Sequence, residues 1–478
     1  MWLHWVLWLT TLQGAIPPVD VLAHEVSAEI HVGEYAEARR RLERGLLVYP
    51  NNLVLLDFLG TTYADLGEID AAIGVFEKLL VLTPGKARAY FNLGFLYARK
   101  GEIAKALVAY RQGFALDHRN VGASQDYALL LINNGQFKES IEPLLAVKRT
   151  NISDPAVRLA LVNSYFKCGF QNEGQQEVDE FLSSGLARFR ETLKLSRVLS
   201  ENGELAKAKV VLEHALAASP NSAEAHDELG LLLAKGGQLE ESAKELSRAA
   251  ELAPNTADYA LDNGAVLLLA KRYSDAASFL LRWKDRLARE PDYHYKLGLA
   301  YYGMRDYRQA RSALESVAQL DPQHDLAQYY LGNCYHAAGD LPKAERHYRT
   351  AIRLNPNRAS YYGSLGALLV QSENVRRAEG AAYLSRALEL DPKDVYSRFE
   401  LALYYEGNAD CRTAQLLLEE VVGEEPELVR AHVALARVFF RQGMKEKGER
   451  EKAIVAGLET DGQGKDHWPA DTQISLPK

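Results

Sequence analysis

Apolar residues along this chain follow the i, i+3, i+4, i+7 spacing of amphipathic helices. The helical segments come in pairs, and the pattern returns every 34 residues. Prolines close the units, because proline cannot continue the hydrogen-bond ladder of a helix. The period predicts a stack of helix pairs, in which no pair buries its apolar face alone. The prolines of this grid are Pro50, Pro84, Pro220, Pro254, Pro322, Pro356, Pro392 and Pro426. Two extra residues stand between Pro356 and Pro392, and the 34-residue spacing then resumes.

Small residues recur at two fixed positions inside each unit. Glycine or alanine stands at position 8, as in Gly298 and Gly332, and alanine stands at position 20, as in Ala344. Small side chains there allow two helix backbones to approach closely. We expect the least regular second helices in repeat five, which has Gly174 at the small-residue position, and in repeat eleven, which has the insertion.

The residues around the grid resemble a known repeat. Leu331-Gly332-x-x-Tyr335, followed by Ala344 and Pro356, is similar to the tetratricopeptide repeat pattern W-x2-L-G-x2-Y, A-x3-F, P over 34 residues. The resemblance implies an all-α, right-handed superhelical solenoid of tandem helix-turn-helix repeats, of the kind found in exported bacterial proteins. About thirteen copies begin near residues 19, 53, 87, 121, 155, 189, 223, 257, 291, 325, 359, 395 and 429.

Composition agrees with one uninterrupted array. The chain has 478 residues, a quarter of them charged, and a net charge of −8, which gives a nucleic-acid-binding role no electrostatic basis. Its three cysteines lie far apart and form no C-x-x-C motif, so we interpret them as packing residues.

The two ends differ from the array. Residues 1–16 are apolar but too short to span a bilayer, and they are typical of the core of a secretory signal that ends at Ala23. No Lys or Arg precedes this stretch, and an apolar cap on the solenoid is the alternative interpretation. The expected parts are a signal or apolar segment over 1–23, the repeat array over 24–457 and a disordered tail over 458–478.

The sequence contains no motif that indicates catalysis. It lacks the P-loop, the dinucleotide-binding glycine pattern, the nucleophile elbow and the H-E-x-x-H zinc motif. His226, His294 and His432 all occupy position 4, where the family carries a bulky tryptophan, so we interpret that position as a packing slot. We therefore predict no enzyme activity, no cofactor and no metal site.

In the repeat family, first-helix positions 2, 5, 6, 9, 12 and 13 line a concave groove in which partners bind. Along this chain these positions are mainly basic in repeats three to six, acidic in repeats seven and eight, and aromatic in repeats nine to twelve. Tyrosine offers a large apolar face and a hydroxyl group, which suits an interface. The candidate partner-binding residues are Arg88, Asn92, Arg190, Lys194, Tyr295, Tyr302, Tyr329, Tyr330, Tyr396 and Phe399.

Two alternatives remain for this surface. The tyrosines could stack on one another and only stiffen the array. Family members that grip a C-terminal carboxylate share part of the pattern Asn163, Arg190, Lys194, but Leu159 and Ala160 replace two residues of that clamp.

The resemblance implies a non-catalytic scaffold that binds a peptide or partner protein in its groove. We expect it in a cell-envelope assembly or export complex, in the periplasm or outside the cell, with no membrane span. The alternatives are a cytosolic adaptor or regulator and, more remotely, an array associated with an enzyme such as a glycosyltransferase.

Overall fold

The structure is a computed structural model, and it describes residues 16–150, 154–371 and 376–460. Over these residues the chain forms 27 helices and no strands. The chain divides into two compact units, Met1–Ala215 and Leu216–Lys478. We refer to them as the first unit and the second unit.

The first unit contains consecutive helix pairs, one pair for each of repeats one to six. Odd-numbered helices are the first helices of the repeats, and the unit ends within α12. The helices are α1 Val19–His31, α2 Tyr35–Val48, α3 Leu53–Asp65, α4 Ile69–Leu82, α5 Ala87–Lys100, α6 Ile103–Leu116, α7 Val121–Asn133, α8 Phe137–Arg149, α9 Pro155–Lys167, α10 Gln171–Ser183, α11 Phe189–Glu201 and α12 Leu205–Ala218.

The second unit holds repeats seven to thirteen. In repeat eight the second helix is interrupted at Trp283, so that this repeat has three helices. The helices are α13 Ala223–Lys235, α14 Leu239–Leu252, α15 Ala257–Leu269, α16 Tyr273–Arg282, α17 Lys284–Leu287, α18 Pro291–Gly303, α19 Tyr307–Leu320, α20 Asp325–Ala337, α21 Leu341–Leu354, α22 Ala359–Val370, α23 Arg377–Leu390, α24 Val395–Gly407, α25 Cys411–Glu424, α26 Val429–Arg441 and α27 Lys445–Thr460.

The predicted repeat register is confirmed. The first helix of all thirteen repeats begins at the residue expected from the 34-residue grid. The prediction of an irregular second helix in repeat five is wrong, because α10 is continuous. In repeat eleven, residues 372–375 lie outside the described part of the chain. The irregular second helix belongs to repeat eight instead.

In the twelve repeats whose inter-helix turn the structure describes, the residue at position 15 is left-handed. Nine repeats place glycine there, as in Gly67 and Gly237, with φ near +80°. Repeats eight, nine and twelve place Lys271, Arg305 and Ala409 there at φ of 57°, 61° and 60°. Only glycine adopts this conformation without steric cost, so these three turns carry local strain.

The chain ends differ slightly from the predicted boundaries. Residues 1–15 of the expected signal segment lie outside the described residues, but Ala23 lies inside α1 and Leu22 is buried in the core beside Gly45. The last helix continues to Thr460, so the expected tail begins after it, in a range that the structure does not describe. Among the described helices, none has the length and apolar character that crossing a membrane requires.

Candidate protein-binding surface

The first helices of repeats three to six each have one exposed or half-buried stripe, and most of its positions carry polar or charged residues. Positions 2, 6, 9 and 13 lie on this stripe, while position 7 residues such as Leu161 and Leu195 on the opposite face are buried. The i, i+4, i+7, i+11 spacing places the four positions on one side of a helix. We call the combined surface the first-helix face, and its members are Arg88, Asn92, Phe95, Arg99, Gly122, Asp126, Leu129, Asn133, Ala156, Ala160, Asn163, Lys167, Arg190, Lys194, Arg197 and Glu201.

Polar contacts between neighbouring repeats hold parts of this face in register. Arg88 on α5 lies 3.9 Å from the Asp57 carboxylate on α3. At the other end, the Asn202 side chain after α11 donates to Oδ1 of Asn163 on α9 at 2.9 Å. Such contacts fix the order of the side chains that a partner would meet.

The first-helix face is basic although the protein as a whole is acidic. It carries six Arg or Lys residues against two carboxylates, Asp126 and Glu201, while the whole chain has a net charge of −8. Burial raises the pKa of the Asp126 carboxyl. Arg190 and Lys194 are exposed on adjacent turns of α11. The face therefore has a positive local charge.

Two large apolar side chains stand exposed within this basic surface. Phe95 on α5 and Leu129 on α7 both occupy position 9, in consecutive repeats, and each is 46% exposed. The Arg99 guanidinium lies 5.8 Å from the centre of the Phe95 ring, a cation–π contact. Exposed apolar groups rimmed by polar residues are typical of protein-interaction sites. Sequence reasoning named the positions but overlooked these two residues, although an apolar residue at position 9 was the visible signal.

The predicted aromatic zone of repeats nine to twelve does not form an open surface. Tyr295, Tyr329, Tyr330 and Phe399 are buried, with Tyr330 fully so. The prediction that these four side chains project into a groove is therefore wrong. Tyr302 and Tyr396 are half-buried.

The reason is that the rings pack on one another between repeats. Tyr330 lies 5.2 Å from both Tyr302 and Tyr329, measured between ring centres, and Tyr329 lies 5.0 Å from Tyr361 of the next repeat. Burial also raises the pKa of the Tyr302 and Tyr396 hydroxyls, so both stay neutral. The alternative interpretation, in which the tyrosines stack and stiffen the array, matches this geometry.

The acidic zone of repeats seven and eight is also partly covered. Asp227 is nine-tenths buried. Burial raises the pKa of Asp262 to about 6, against the opposing effect of the Lys296 ammonium. Burial therefore closes part of this acidic zone to a partner.

The histidines at position 4 have structural contacts. His226 Nδ1 lies 2.6 Å from Glu245, and its Nε2 lies 3.1 Å from the Pro220 carbonyl oxygen. His432 repeats the arrangement with Glu451 at 2.6 Å and the Pro426 carbonyl at 3.0 Å. Each histidine ring thus links the second helix of its repeat to the turn that precedes the repeat. At position 4 these histidines therefore form hydrogen bonds in addition to filling a packing position.

Family models match several parts of the chain. Models described as tetratricopeptide repeat or TPR repeat together cover more than half of its length. The matched ranges are 60–101, 87–119, 199–261, 295–359, 337–395 and 399–451.

Among curated proteins, the Hsp70-Hsp90 organizing protein of Triticum aestivum is 30% identical over 96 residues. The match covers 20% of this chain and 16% of that protein, so the chain spans only a small part of its relative.

Several solved structures are similar along most of the chain. Naa15/Naa10 bound to HypK-THB is 16% identical, with 93% of this chain and 76% of that chain covered and a TM-score of 0.43. Yeast Tom70 is 15% identical, and the match covers 93% of this chain and 96% of that chain with a TM-score of 0.38. A chain of the APC/C hetero-tetramer Cut9-Hcn1 is 14% identical, and the match covers 94% of this chain and 89% of that chain with a TM-score of 0.43.

Proposed function

The chain belongs to the tetratricopeptide repeat family, and on that premise we propose that it is a protein-interaction scaffold whose first-helix face binds an acidic peptide segment. The observation that carries the proposal is the pairing of exposed Phe95 and Leu129 with an excess of cations on the same face. The wheat relative is named for organizing two other proteins, which agrees with a protein as the partner.

The chemistry of the face specifies the segment. Exposed arginine and lysine side chains attract carboxylates, which orient the partner and raise its rate of association. An aliphatic or aromatic side chain of the segment would remove Phe95 and Leu129 from water, at about 25 cal/mol per Å² of apolar area buried. The ligand is therefore an extended peptide with several Asp or Glu residues around at least one large apolar residue.

Selection from a peptide display library, with the full chain as bait, tests this proposal. We expect the selected peptides to be enriched in acidic residues and to carry a large apolar one. Reversing two charges of the face, Arg190→Glu with Lys194→Glu, should weaken binding of these peptides by at least tenfold. Phe95→Ser should weaken it separately.

The matched control reverses two exposed charges on second helices, Arg111→Glu on α6 with Lys138→Glu on α8. This double variant has the same net charge as the first one, and it should bind the peptides as the natural protein does. Equal losses in both double variants, or selected peptides without acidic residues, would overturn the proposal.

For the compartment, we propose the cell envelope, on the basis of the apolar residues 1–16. The burial of Leu22 in the core argues for a cut before α1 rather than after Ala23. N-terminal sequencing of the protein from its native cell distinguishes these outcomes. Intact Met1 in the soluble cytoplasm would instead favour a cytosolic adaptor.

A further inference from the structure

Repeat eight has a polar residue at position 7, where the other repeats from two to thirteen have an apolar or aromatic one. Position 7 of repeat eight is Asn263, and its side chain is 1% exposed. Its Oδ1 atom has no hydrogen-bond partner among the described residues. A buried polar atom without a partner lowers stability, so its presence calls for a reason. The residues at position 7 of the other repeats from two to thirteen are Leu59, Leu93, Tyr127, Leu161, Leu195, Leu229, Leu297, Leu331, Leu365, Leu401 and Leu435.

Asn263 lies at the wall of a cavity of about 590 Å³ in the second unit. The cavity is bounded by α14, α15 and α16, the second helix of repeat seven and the first two helices of repeat eight. Leu267 and Phe279 contribute apolar walls. A volume between roughly 300 and 1,000 Å³, with a few convergent polar groups, is usual for small-molecule sites.

Four cationic side chains and two carboxylates line this cavity, and one of the cations, Arg248, lies 3.9 Å from Glu251. Arg272 is engaged by Glu240 and Asp275, at 2.6 and 2.7 Å. Lys244 and Arg282 also line the cavity, and neither forms an ion pair within the described residues. These two cations remain available to an anionic group.

The break in the second helix of repeat eight places one of these cations. Helix α16 ends at Arg282, and the chain resumes as α17 after Trp283. The Arg282 guanidinium stacks on the ring of Phe279, with 4.9 Å between them, beside the cavity. The helix break and the substituted leucine position therefore meet at the same cavity.

We propose that this cavity is a binding site for a small hydroxylated anion, such as a sugar phosphate or a polyhydroxy carboxylate. A hydroxyl group of the ligand donates to Oδ1 of Asn263, and its carbon skeleton packs against Leu267 and Phe279. Its phosphate or carboxylate is bound by Lys244 and Arg282. The site is built from residues of repeats seven and eight, and the first-helix face from other residues, in repeats three to six, so it does not depend on the proposed peptide binding.

Isothermal titration of the full chain with glucose 6-phosphate and with gluconate tests the site. We expect at least one of them to bind at least tenfold more tightly than glucose or inorganic phosphate, each of which has only one of the two features. Comparison of the two probes shows whether a phosphate or a carboxylate is preferred. Binding by neither probe, or equally tight binding of inorganic phosphate, would overturn the proposal.

Three variants locate the site. Asn263→Leu should raise the melting temperature without ligand and abolish binding, a combination that loss of fold cannot produce. Arg282→Ala should weaken binding at least tenfold, whereas Arg308→Ala, which removes an exposed arginine on α19, should not change it. Undiminished binding to Asn263→Leu would show that the buried amide serves no ligand.

Discussion

A Cβ atom on Gly332 would lie 2.5 Å from the ring of Tyr348, which packs directly over the glycine. The two residues join the helices of one repeat, α20 and α21, and Tyr348 is 1% exposed. The same arrangement joins Gly94 to Tyr110 in repeat three. The family's small residue at position 8 is therefore a contact surface for the side chain at position 24.

We expect Gly332→Ala to lower the free energy of unfolding by about 1–3 kcal/mol, because a fully buried ring cannot move aside without strain. Urea denaturation measures this loss. Gly74→Ala is the matched control, since it lies inside α4 with nothing within 4 Å of the added carbon. That change should be neutral or stabilise by up to about 1 kcal/mol. Similar effects of the two substitutions would contradict the close approach.

Removing the hydroxyl group from Tyr295 and from Tyr361 should change the stability of the second unit in opposite directions. The Tyr295 hydroxyl is buried without a hydrogen-bond partner among the described residues, whereas Tyr361 donates to Asp325 at 2.9 Å. Tyr295→Phe should therefore stabilise the second unit by about 1 kcal/mol, and Tyr361→Phe should destabilise it by about 1–2 kcal/mol. Thermal unfolding of the two variants, measured side by side, checks the signs. A loss in both would mean that the Tyr295 hydroxyl has a partner such as water.

Glycine should relieve the strained turns. Ala409 and Lys271 have φ of 60° and 57°, so Ala409→Gly and Lys271→Gly should each raise the free energy of unfolding by about 1 kcal/mol. The reverse substitution, Gly237→Ala at φ of 78°, should lower it by a similar amount. Chemical denaturation of the three variants provides the comparison. A destabilised Ala409→Gly would show that unfolded-chain entropy outweighs the turn strain.

Asp262 should make the stability of the second unit depend on pH. Burial raises its pKa to about 6, above the value of about 3.9 in an unfolded chain. Between these values the folded protein keeps a proton that the unfolded chain has lost, so this residue's contribution is lost as the pH rises from 4 through 6. Asp258 and Asp292 reinforce the shift, and Lys296 opposes it.

Asp262→Asn removes this titration. The melting temperature of the variant, relative to that of the natural protein, should therefore increase between pH 4 and pH 7. Taking the difference between the two proteins cancels the contribution of half-buried histidines, such as His336, whose lowered pKa acts in the opposite direction. A constant difference across this range would show that Asp262 does not retain its proton.

The repeat register could be predicted because it depends on local features. A proline at position 32 ends a helix wherever it stands, and glycine at position 8 permits close approach, so each repeat carries its own boundaries. The burial of Tyr329 could not be predicted in this way. Its position fixes the helix face, but burial depends on Tyr330 beside it and on Tyr361 in the next repeat.

The helix break at Trp283 and the burial of Asn263 show two different limits of prediction from the sequence. Ala288 takes the place of the grid proline in repeat eight, which indicates a changed end but not where the helix breaks. Asn263 was visible as a polar residue in a column of leucines. Only the structure shows that its oxygen is buried beside a cavity and lacks a partner.

The contact between Gly332 and Tyr348 has a mechanical consequence. Such contacts lie within repeats, and in repeat three α5 packs more extensively on α6 than α6 packs on α7 of the next repeat. In repeat three the helix pair therefore behaves as a stiff plate, and its seam with repeat four is the more compliant joint. A load applied along this part of the stack would first open that seam elastically, while the helix pair of repeat three stays folded.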